Sequence, residues 1–297
     1  GHFDLMDFTA ERDEDLPDGL FAETAIAQLH ALKEQEQPFF LGLGFIKPHL
    51  PFVAPKQDWN AFSETEIAET ESPSKVNSSH WHKSNEFYKY DMPFTKDRPL
   101  AAQDRRTARR AYLASVRYAD RQVGKVLTAL DELELAENTI VVIWGDHGWH
   151  LGEQAIWAKH TPFEVAMRSA LLMRVPGVSR PGKRSAALVE TIDLYPTLVS
   201  LCRPAFVATQ HGLDGEDLTP ILTGAKDRVR DVALSYWKDS VSLRTATYRL
   251  IVEGSKRELH DLSESLANAT DVAATRSDEV QAMIDLARKR VGDLVKP

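Results

Sequence analysis

The residues best placed for chemistry lie in Val141-Val142-Ile143-Trp144-Gly145-Asp146-His147-Gly148-Trp149-His150-Leu151-Gly152-Glu153, followed by Trp157-Ala158-Lys159. An apolar, β-branched run stops at Gly145 and hands over to a carboxylate, an imidazole and another glycine. On a strict strand, Asp146 and His147 would point to opposite faces. On a strand end flanked by glycines they can turn toward one point, as two ligands of a metal ion must. Read without chemistry, the same residues are a strand-to-loop junction in which an Asp caps a turn. A second polar group follows another apolar run. Pro38-Phe39-Phe40-Leu41-Gly42-Leu43-Gly44-Phe45 leads into Ile46-Lys47-Pro48-His49-Leu50-Pro51-Phe52. The prolines around His49 forbid helix and stiffen the loop, so a lysine and a histidine are held just past a strand. The plain alternative is a solvated surface loop.

Strands and helices must position these groups. Phe39–Phe45, Thr139–Trp144 and Ala170–Val175 have the length and content of buried strands, with helical patterns between them. Leu20 to Gln35 reads as a helix opened by Asp18-Gly19, with Leu20, Ile26, Leu29 and Leu32 on one face. Gln103 to Leu133 carries a helical period at Tyr112, Val116, Ala119, Val123, Leu127 and Leu130. Its basic start, Arg105-Arg106 and Arg109-Arg110, reads as a solvated face pairing with acidic neighbours rather than as a phosphate patch. Asp193 to Leu201 is a further helix. The alternation predicts an α/β fold in which the three strands share one mixed, mainly parallel sheet with helices on both faces. Asp146, His147, His49 and Lys159 are then expected in one cleft at the carboxyl edge, their tips within roughly 10 Å.

Residues 55–100 form a long polar insertion with scattered aromatics, either a substrate mouth or a surface excursion. His80 and His82 inside it read as surface residues rather than metal ligands. From Lys226 onward the pattern changes. Val232–Tyr236, Ser240–Thr245 and Tyr248–Val252 predict a small antiparallel sheet, and Ser277–Leu294 a terminal amphipathic helix with Val280, Ile284, Leu286, Val291 and Leu294 apolar. The expected division is residues 1–225 and 226–297.

Pro38–Leu41 running into Lys47–Phe52, then Gly145–Trp149 with Leu151-Gly152-Glu153 and Trp157-Ala158-Lys159, resembles the type I sulfatases, in particular the iduronate-2-sulfatase-like branch of the alkaline phosphatase superfamily. Val189-Glu190-Thr191-Ile192-Asp193-Leu194-Tyr195-Pro196-Thr197-Leu198, Gly212–Gly215 with Leu218–Leu222, and Glu258-Leu259-His260-Asp261-Leu262 resemble later segments of the same enzymes. The resemblance implies an alkaline-phosphatase-like sandwich and hydrolysis of a sulfate ester, borne by a sulfated small molecule or saccharide. It assigns Asp146 and His147 as ligands of a divalent metal, most readily Ca²⁺. His147 stands where most sulfatases have asparagine, and an imidazole is a softer ligand than calcium prefers. Lys159 and His49 would be the catalytic contacts to the sulfate and its leaving oxygen. Lys47 and Trp149 would bind substrate, with His150 beside them. A periplasmic, extracellular or lysosomal location is implied by the same likeness.

Such sulfatases also use a formylglycine, made within Cys/Ser-x-Pro/Ala-x-Arg, and an early Asp-Asp pair of metal ligands. Neither motif occurs here. Cys202, the one cysteine, lies in Ser200-Leu201-Cys202-Arg203-Pro204-Ala205 and reads as a buried structural thiol at a helix end. The expectation is the carboxyl-side portion of a longer enzyme, inactive alone, with the amino-terminal segment as its partner. Two other readings stay open: a phosphoryl or phosphonate ester hydrolase of the same superfamily, and a non-catalytic domain or pseudoenzyme.

Composition agrees with a globular chain without identifying it, and excludes some classes of partner. Hydrophobic residues are 43% of 297, enough for a core. The formal net charge of -8 argues against nucleic acid as partner. A sulfated ligand must then be met by a local basic cluster such as Lys47, His49 and Lys159. No apolar run reaches the about 18 residues of a membrane span.

Overall fold

The computed structural model describes residues 4–81, 85–94, 100–205 and 212–292. It resolves into two compact units, one of residues 1–75, 83–140 and 151–158, the other of 76–82, 141–150 and 159–297.

The first unit is built on two helices. α1 (Pro17–Lys33) starts with Pro17 at its first turn, where a missing N–H costs nothing. Asp18 and Gly19 therefore lie inside the helix rather than before it. Gly19 is needed there, because a Cβ would overlap the backbone of Asp13 and Glu14. The short β1 (Met6–Asp7) pairs in parallel with β2 (Phe52–Val53), and α2 (Lys56–Asn60) follows directly. α3 (Ala102–Glu132) buries Ala108, Ala111, Ala114, Ser115, Tyr118 and Gln122, a stripe of mostly small residues. Of the apolar face expected from Tyr112 to Leu130, Leu130 is buried and Tyr112, Ala119, Val123 and Leu127 are half-buried, while Val116 is exposed, as is Leu20 on α1. Small residues win the interface because they let the helices approach closely, and Tyr118 bridges them, accepting from Gly19 N (2.6 Å) and donating to Asp13 O (2.8 Å). Buried Asp13 and Asp58 are both held by Arg121, with contacts of 2.8 and 2.9 Å among others. A buried carboxylate needs such a partner. The basic start of α3 pairs as expected, Arg105 with Glu69 (2.8 Å) and Arg109 with Glu153 (3.2 Å).

Two aromatics of the 55–100 insertion are core, and Trp59, Trp81, Tyr90 and Phe94 are half-buried. Phe87 and Tyr88 are buried, Phe87 stacks on Trp157, and Trp59 stacks on Phe8.

Residues 39–45 correct the expected sheet. They alternate between half-buried and exposed positions, as a strand does, yet form no ladder with any described residue. Two-fold alternation specifies faces, and a strand also needs hydrogen-bonding neighbours. Phe40 is left 87% exposed.

In the second unit, β3 (Val141–Trp144) pairs with β4 (Leu171–Arg174), with α4 (Glu164–Met167) between them. The pairing is antiparallel, Val141 opposite Arg174 and Trp144 opposite Leu171. The expectation of one mainly parallel sheet containing Phe39–Phe45, Thr139–Trp144 and Ala170–Val175 is therefore not met among the described residues. β3 is also only half-buried, with Trp144 51% exposed and Leu172 on β4 57%. α5 (Leu194–Cys202) and α6 (Thr219–Thr223) follow. Cys202 is exposed at the last position of α5, before Arg203 in the left-handed region, so the buried-thiol reading is wrong. His80 corrects another reading: it is buried, its Nδ1 3.5 Å from Glu253. Burial holds its pKa below the ordinary histidine value. His82 and Leu294 lie outside the described residues.

The small antiparallel sheet is present, with one strand more than expected. β5 (Ala233–Trp237), β6 (Ser240–Arg244), β7 (Tyr248–Glu253) and β8 (Lys256–Asp261) pair in chain order. α7 (Ser277–Val291) lays Met283, Ile284 and Ala287 against Leu243, Leu250 and Leu259 of the sheet. Each large side chain buried there contributes roughly 1.5–3 kcal/mol.

Asp193, at the start of α5, is fully buried. Arg230 grips both its oxygens, one at 2.5 Å, and the amides of Glu190 (2.7 Å) and Glu216 (2.8 Å) donate to it. Arg230→Met removes the cation and leaves the carboxylate uncompensated. Urea unfolding is expected to show a loss of about 3–5 kcal/mol. A loss under about 1 kcal/mol would mean that the two amides suffice.

Candidate active site

β3 ends at Trp144, and Gly145 extends the ladder by one bond to Ala170 O (2.9 Å). Asp146 and His147 emerge immediately beyond. Asp146 Oδ2 lies 3.6 Å from His147 Nε2, with the side chains 77% and 34% exposed. His147 Nδ1 is 2.8 Å from Gly148 O. A carbonyl oxygen only accepts, so Nδ1 carries a proton, and in the neutral ring Nε2 is then the nitrogen with the lone pair. Metal-binding histidines are commonly oriented in this way, one ring nitrogen donating to a backbone carbonyl and the other free for the ion. The two adjacent residues thus turn a carboxylate oxygen and an imidazole nitrogen toward each other, as the glycine-flanked sequence suggested. The donor set fits a divalent cation. Among the described residues no group of three or more His, Cys, Asp or Glu is placed to hold one.

Gly148 permits this turn. Its N–H donates to Ala166 O (2.8 Å), and a Cβ would overlap the carbonyls of Val165 and Arg168 at the end of α4.

The loop after it carries Trp149 and Lys159. Lys159 Nζ lies over the Trp149 ring, 5.6 Å from its centroid, within range of a cation–π attraction. His150, expected beside the substrate, is instead fully buried, its Nε2 2.8 Å from Thr161 Oγ1. Sequence reading missed what anchors this segment. Thr161 is fully buried. Ser242 Oγ donates to Pro162 O (3.2 Å). Phe163 packs edge-on against His150 and His260. Glu164 is buried between Arg249 (2.9 and 2.5 Å) and Arg244 (3.0 Å). The visible signal was a lone glutamate behind Thr161-Pro162-Phe163, with two arginines opposite each other on neighbouring strands of a later sheet.

Lys47 and His49 belong to the first unit. Asp18 of α1 accepts from the amides of Ile46 (2.9 Å) and Lys47 (2.8 Å), which fixes the loop entrance. The Lys47–Pro48 and Leu50–Pro51 bonds are both cis. Lys47 Nζ donates back to His49 O (2.9 Å) and Pro51 O (2.7 Å), so it braces its own loop. His49 Nδ1 donates to Leu50 O (2.7 Å), which leaves Nε2 facing Glu86 Oε1 at 3.8 Å. Of the expected site residues, the structure brings Asp146 to His147 and Lys159 to Trp149 within one unit, and Lys47 to His49 within the other.

Burial pushes the Lys47 ammonium down to about 8, against the pull of Asp18. Between pH 8 and about 10.4 the unfolded chain keeps a proton that the folded chain has released. This group therefore makes folding more favourable as pH rises through that window, and less so as pH falls toward 8. A ¹³Cε titration of Lys47 is expected to centre near pH 8, and a midpoint near 10 would contradict the burial argument. A separate expectation concerns the turn: Gly148→Ala should destabilise the protein by about 1–3 kcal/mol, read by urea unfolding, because two backbone carbonyls must move. A neutral result would show that α4 can yield.

Residues 7–203 match the sulfatase family. Iduronate 2-sulfatase of Mus musculus is 35% identical over 221 residues, 63% of this chain and 40% of that protein. The chain thus spans less than half the length of that relative. Among solved structures, the phosphonate monoester hydrolase of Agrobacterium radiobacter aligns with a TM-score of 0.80 at 19% identity, over 98% of this chain and 64% of that one. A protein solved with its substrate D-glucosamine-2-N,6-O-disulfate aligns with a TM-score of 0.57 at 22% identity, over 65% of this chain and 42% of that one. At these identities the likeness carries the fold: the alkaline-phosphatase-like α/β architecture, with the small antiparallel sheet at its carboxyl end. The family match extends over some two thirds of the chain, and the chain belongs to the sulfatase family.

Proposed function

We propose that this chain forms the carboxyl-side part of a sulfuric ester hydrolase acting on a sulfated saccharide, with Asp146 and His147 as two of its metal ligands. The observation that carries the reading is the pairing of Asp146 Oδ2 with His147 Nε2, the imidazole oriented by the Gly148 carbonyl. A divalent cation held there, calcium by family likeness, supplies charge neutralisation on the sulfuryl oxygens.

The other roles fall to the chain's own groups. The Lys159 ammonium, set against Trp149, attracts the sulfate, and the Trp149 ring gives the substrate an apolar wall. His49, its Nδ1–H directed to Leu50 O, would in its doubly protonated form present Nε2–H to the sulfate or to the leaving oxygen. Lys47 contributes positive charge beside it while bracing the loop. A nucleophile is needed as well, and the family's formylglycine motif is not part of this sequence. The proposal accordingly includes an amino-terminal segment, supplying the nucleophile and the remaining ligands, and residues 226–297 as a separate carboxyl-terminal subdomain. By the same likeness the enzyme works in the periplasm, outside the cell or in a lysosome. Among the described residues no helix is long and apolar enough to cross a membrane.

The alignment with a phosphonate monoester hydrolase favours one alternative, since the same donor pair suits a phosphonate ester. A panel of sulfate, phosphate and phosphonate esters with added calcium separates the two. The full-length gene product is expected to prefer sulfate esters, to lose at least about 100-fold in kcat/KM on Asp146→Ala, and to have no counterpart activity in the 297-residue chain alone. Turnover that survives Asp146→Ala refutes the metal assignment, and preference for phosphonates replaces the substrate class.

A further inference from the structure

The hairpin between β5 and β6 turns in two residues, Lys238 and Asp239, with Trp237 opposite Ser240. Lys238 sits at φ +52°, in the left-handed region that glycine or asparagine fills most easily. A lysine held in such a conformation is a local cost, and costs of this kind gather at functional sites. Its ammonium lies 5.7 Å from the centroid of the Trp237 ring. The His160 ring lies over Trp237 as well, 5.4 Å between centroids and 30° from parallel.

His160 directly follows Lys159, which faces Trp149. Two consecutive residues thus each meet a tryptophan. Their Cα atoms are one peptide step, about 3.8 Å, apart, so the two pairs are joined through a single backbone link. That link is stiff: Thr161, Pro162 and Glu164, which follow it, are tied to partners in the same unit. Trp237 is half-buried and Lys238 exposed, with Asp239 beside it in the turn.

We propose that Trp237, Lys238 and His160 form a second subsite, which binds another anionic group or the next ring of a sulfated saccharide. The part of the Trp237 ring that stays exposed beside His160 suits an apolar sugar edge. Lys238 and His160 supply localised cationic and hydrogen-bonding groups for a sulfate or carboxylate. The nearby acidic Asp239 and the chain's net negative charge disfavour an extended polyanion. This subsite rests on the reading of Trp149 and Lys159 as the substrate edge.

The test is equilibrium binding of D-glucosamine-2-N,6-O-disulfate to the 297-residue chain, followed by tryptophan fluorescence, with unsulfated glucosamine as control. Lys238→Asn suits the left-handed turn and removes the charge. Trp237→Leu removes the ring, and Lys159→Ala probes the first site. Far-ultraviolet circular dichroism and thermal melting check that each variant is folded. The disulfate is expected to bind more tightly than the control, with Lys238→Asn and Trp237→Leu each weakening it by about fivefold to tenfold. If Lys159→Ala weakens binding while folded Lys238→Asn and Trp237→Leu do not, the subsite is overturned and the first site stands. If the hairpin variants weaken binding and Lys159→Ala does not, the subsite stands and the role of Lys159 falls. If the disulfate binds no better than glucosamine, both are overturned.

Discussion

The buried carboxylate of Glu164 sets the terms for the site in the second unit. It is cut off from water, so it must be paired, and its partners are Arg249 and Arg244 on the carboxyl-terminal sheet. The pairing ties the segment 159–164 to strands β6 and β7. Ser242 adds to this: its hydroxyl donates to Pro162 O while accepting from Arg249 (2.7 Å). Lys159 and His160 stand at the end of that tethered segment, and their placement against Trp149 and Trp237 follows from it. A small sheet that looks peripheral in the sequence is the foundation on which the cationic side of the site is built.

The acidic side has a different support. Asp146 and His147 are exposed and hold few bonds, and their geometry comes from backbone alone. Gly145 closes the β3–β4 ladder, and Gly148 fits against the last turn of α4 where no side chain can. The Gly148 carbonyl then chooses the imidazole tautomer. Exposure suits a ligand pair: a cation can reach both donors, and neither carries the desolvation cost of an unpaired buried charge. Lys159 and the Asp146–His147 pair are thus held for separate reasons, side-chain ion pairing behind the one and backbone packing behind the other. α4 joins them, since Glu164 begins it and Arg168 ends it.

How much of this was legible before the structure differs from element to element. The carboxyl-terminal strands announced themselves because each is short, rich in β-branched and aromatic residues, and close to the next. β8 was overlooked because Lys256-Arg257-Glu258 begins it with charges, although Leu259 and His260 are buried. The four longer helices lie within a few residues of where their periodicity puts them, while α2, α4 and α6 are too short to show one; on α3 the buried positions are mostly alanines, which apolar periodicity weights lightly, beside the expected Leu130. Asp146 and His147 were readable as a pair since glycines on both sides permit only a tight turn. Glu164, Arg249 and the Thr161 hydroxyl were not, because their importance lies in burial, and burial of a charged residue depends on a partner some eighty positions away.

The strand expectation at residues 39–45 went astray on one physical point, and the same point bears on the exposed faces of both units. A period of two says which side chains share a face, while hydrogen-bonding neighbours decide whether the segment joins a sheet. Residues 39–45 keep the period and have no described neighbour, so Phe40 meets solvent. β3 has its period and one neighbour, β4, and both strands leave large apolar side chains uncovered at Trp144 and Leu172. Open ladder edges and uncovered apolar faces are what folded chains usually avoid, because other strands pair with them or cover them. In each unit the uncovered surface adjoins a segment that carries candidate site residues: residues 39–45 lead into Lys47 and His49, and β3 leads into Asp146 and His147. Catalytic loops at strand ends are only as well positioned as the strands behind them. What covers these strands therefore governs the precision of each loop, so the strand environment, as much as the loop sequence, decides how Lys47 and His49 are held in one unit and how Asp146 and His147 are held in the other.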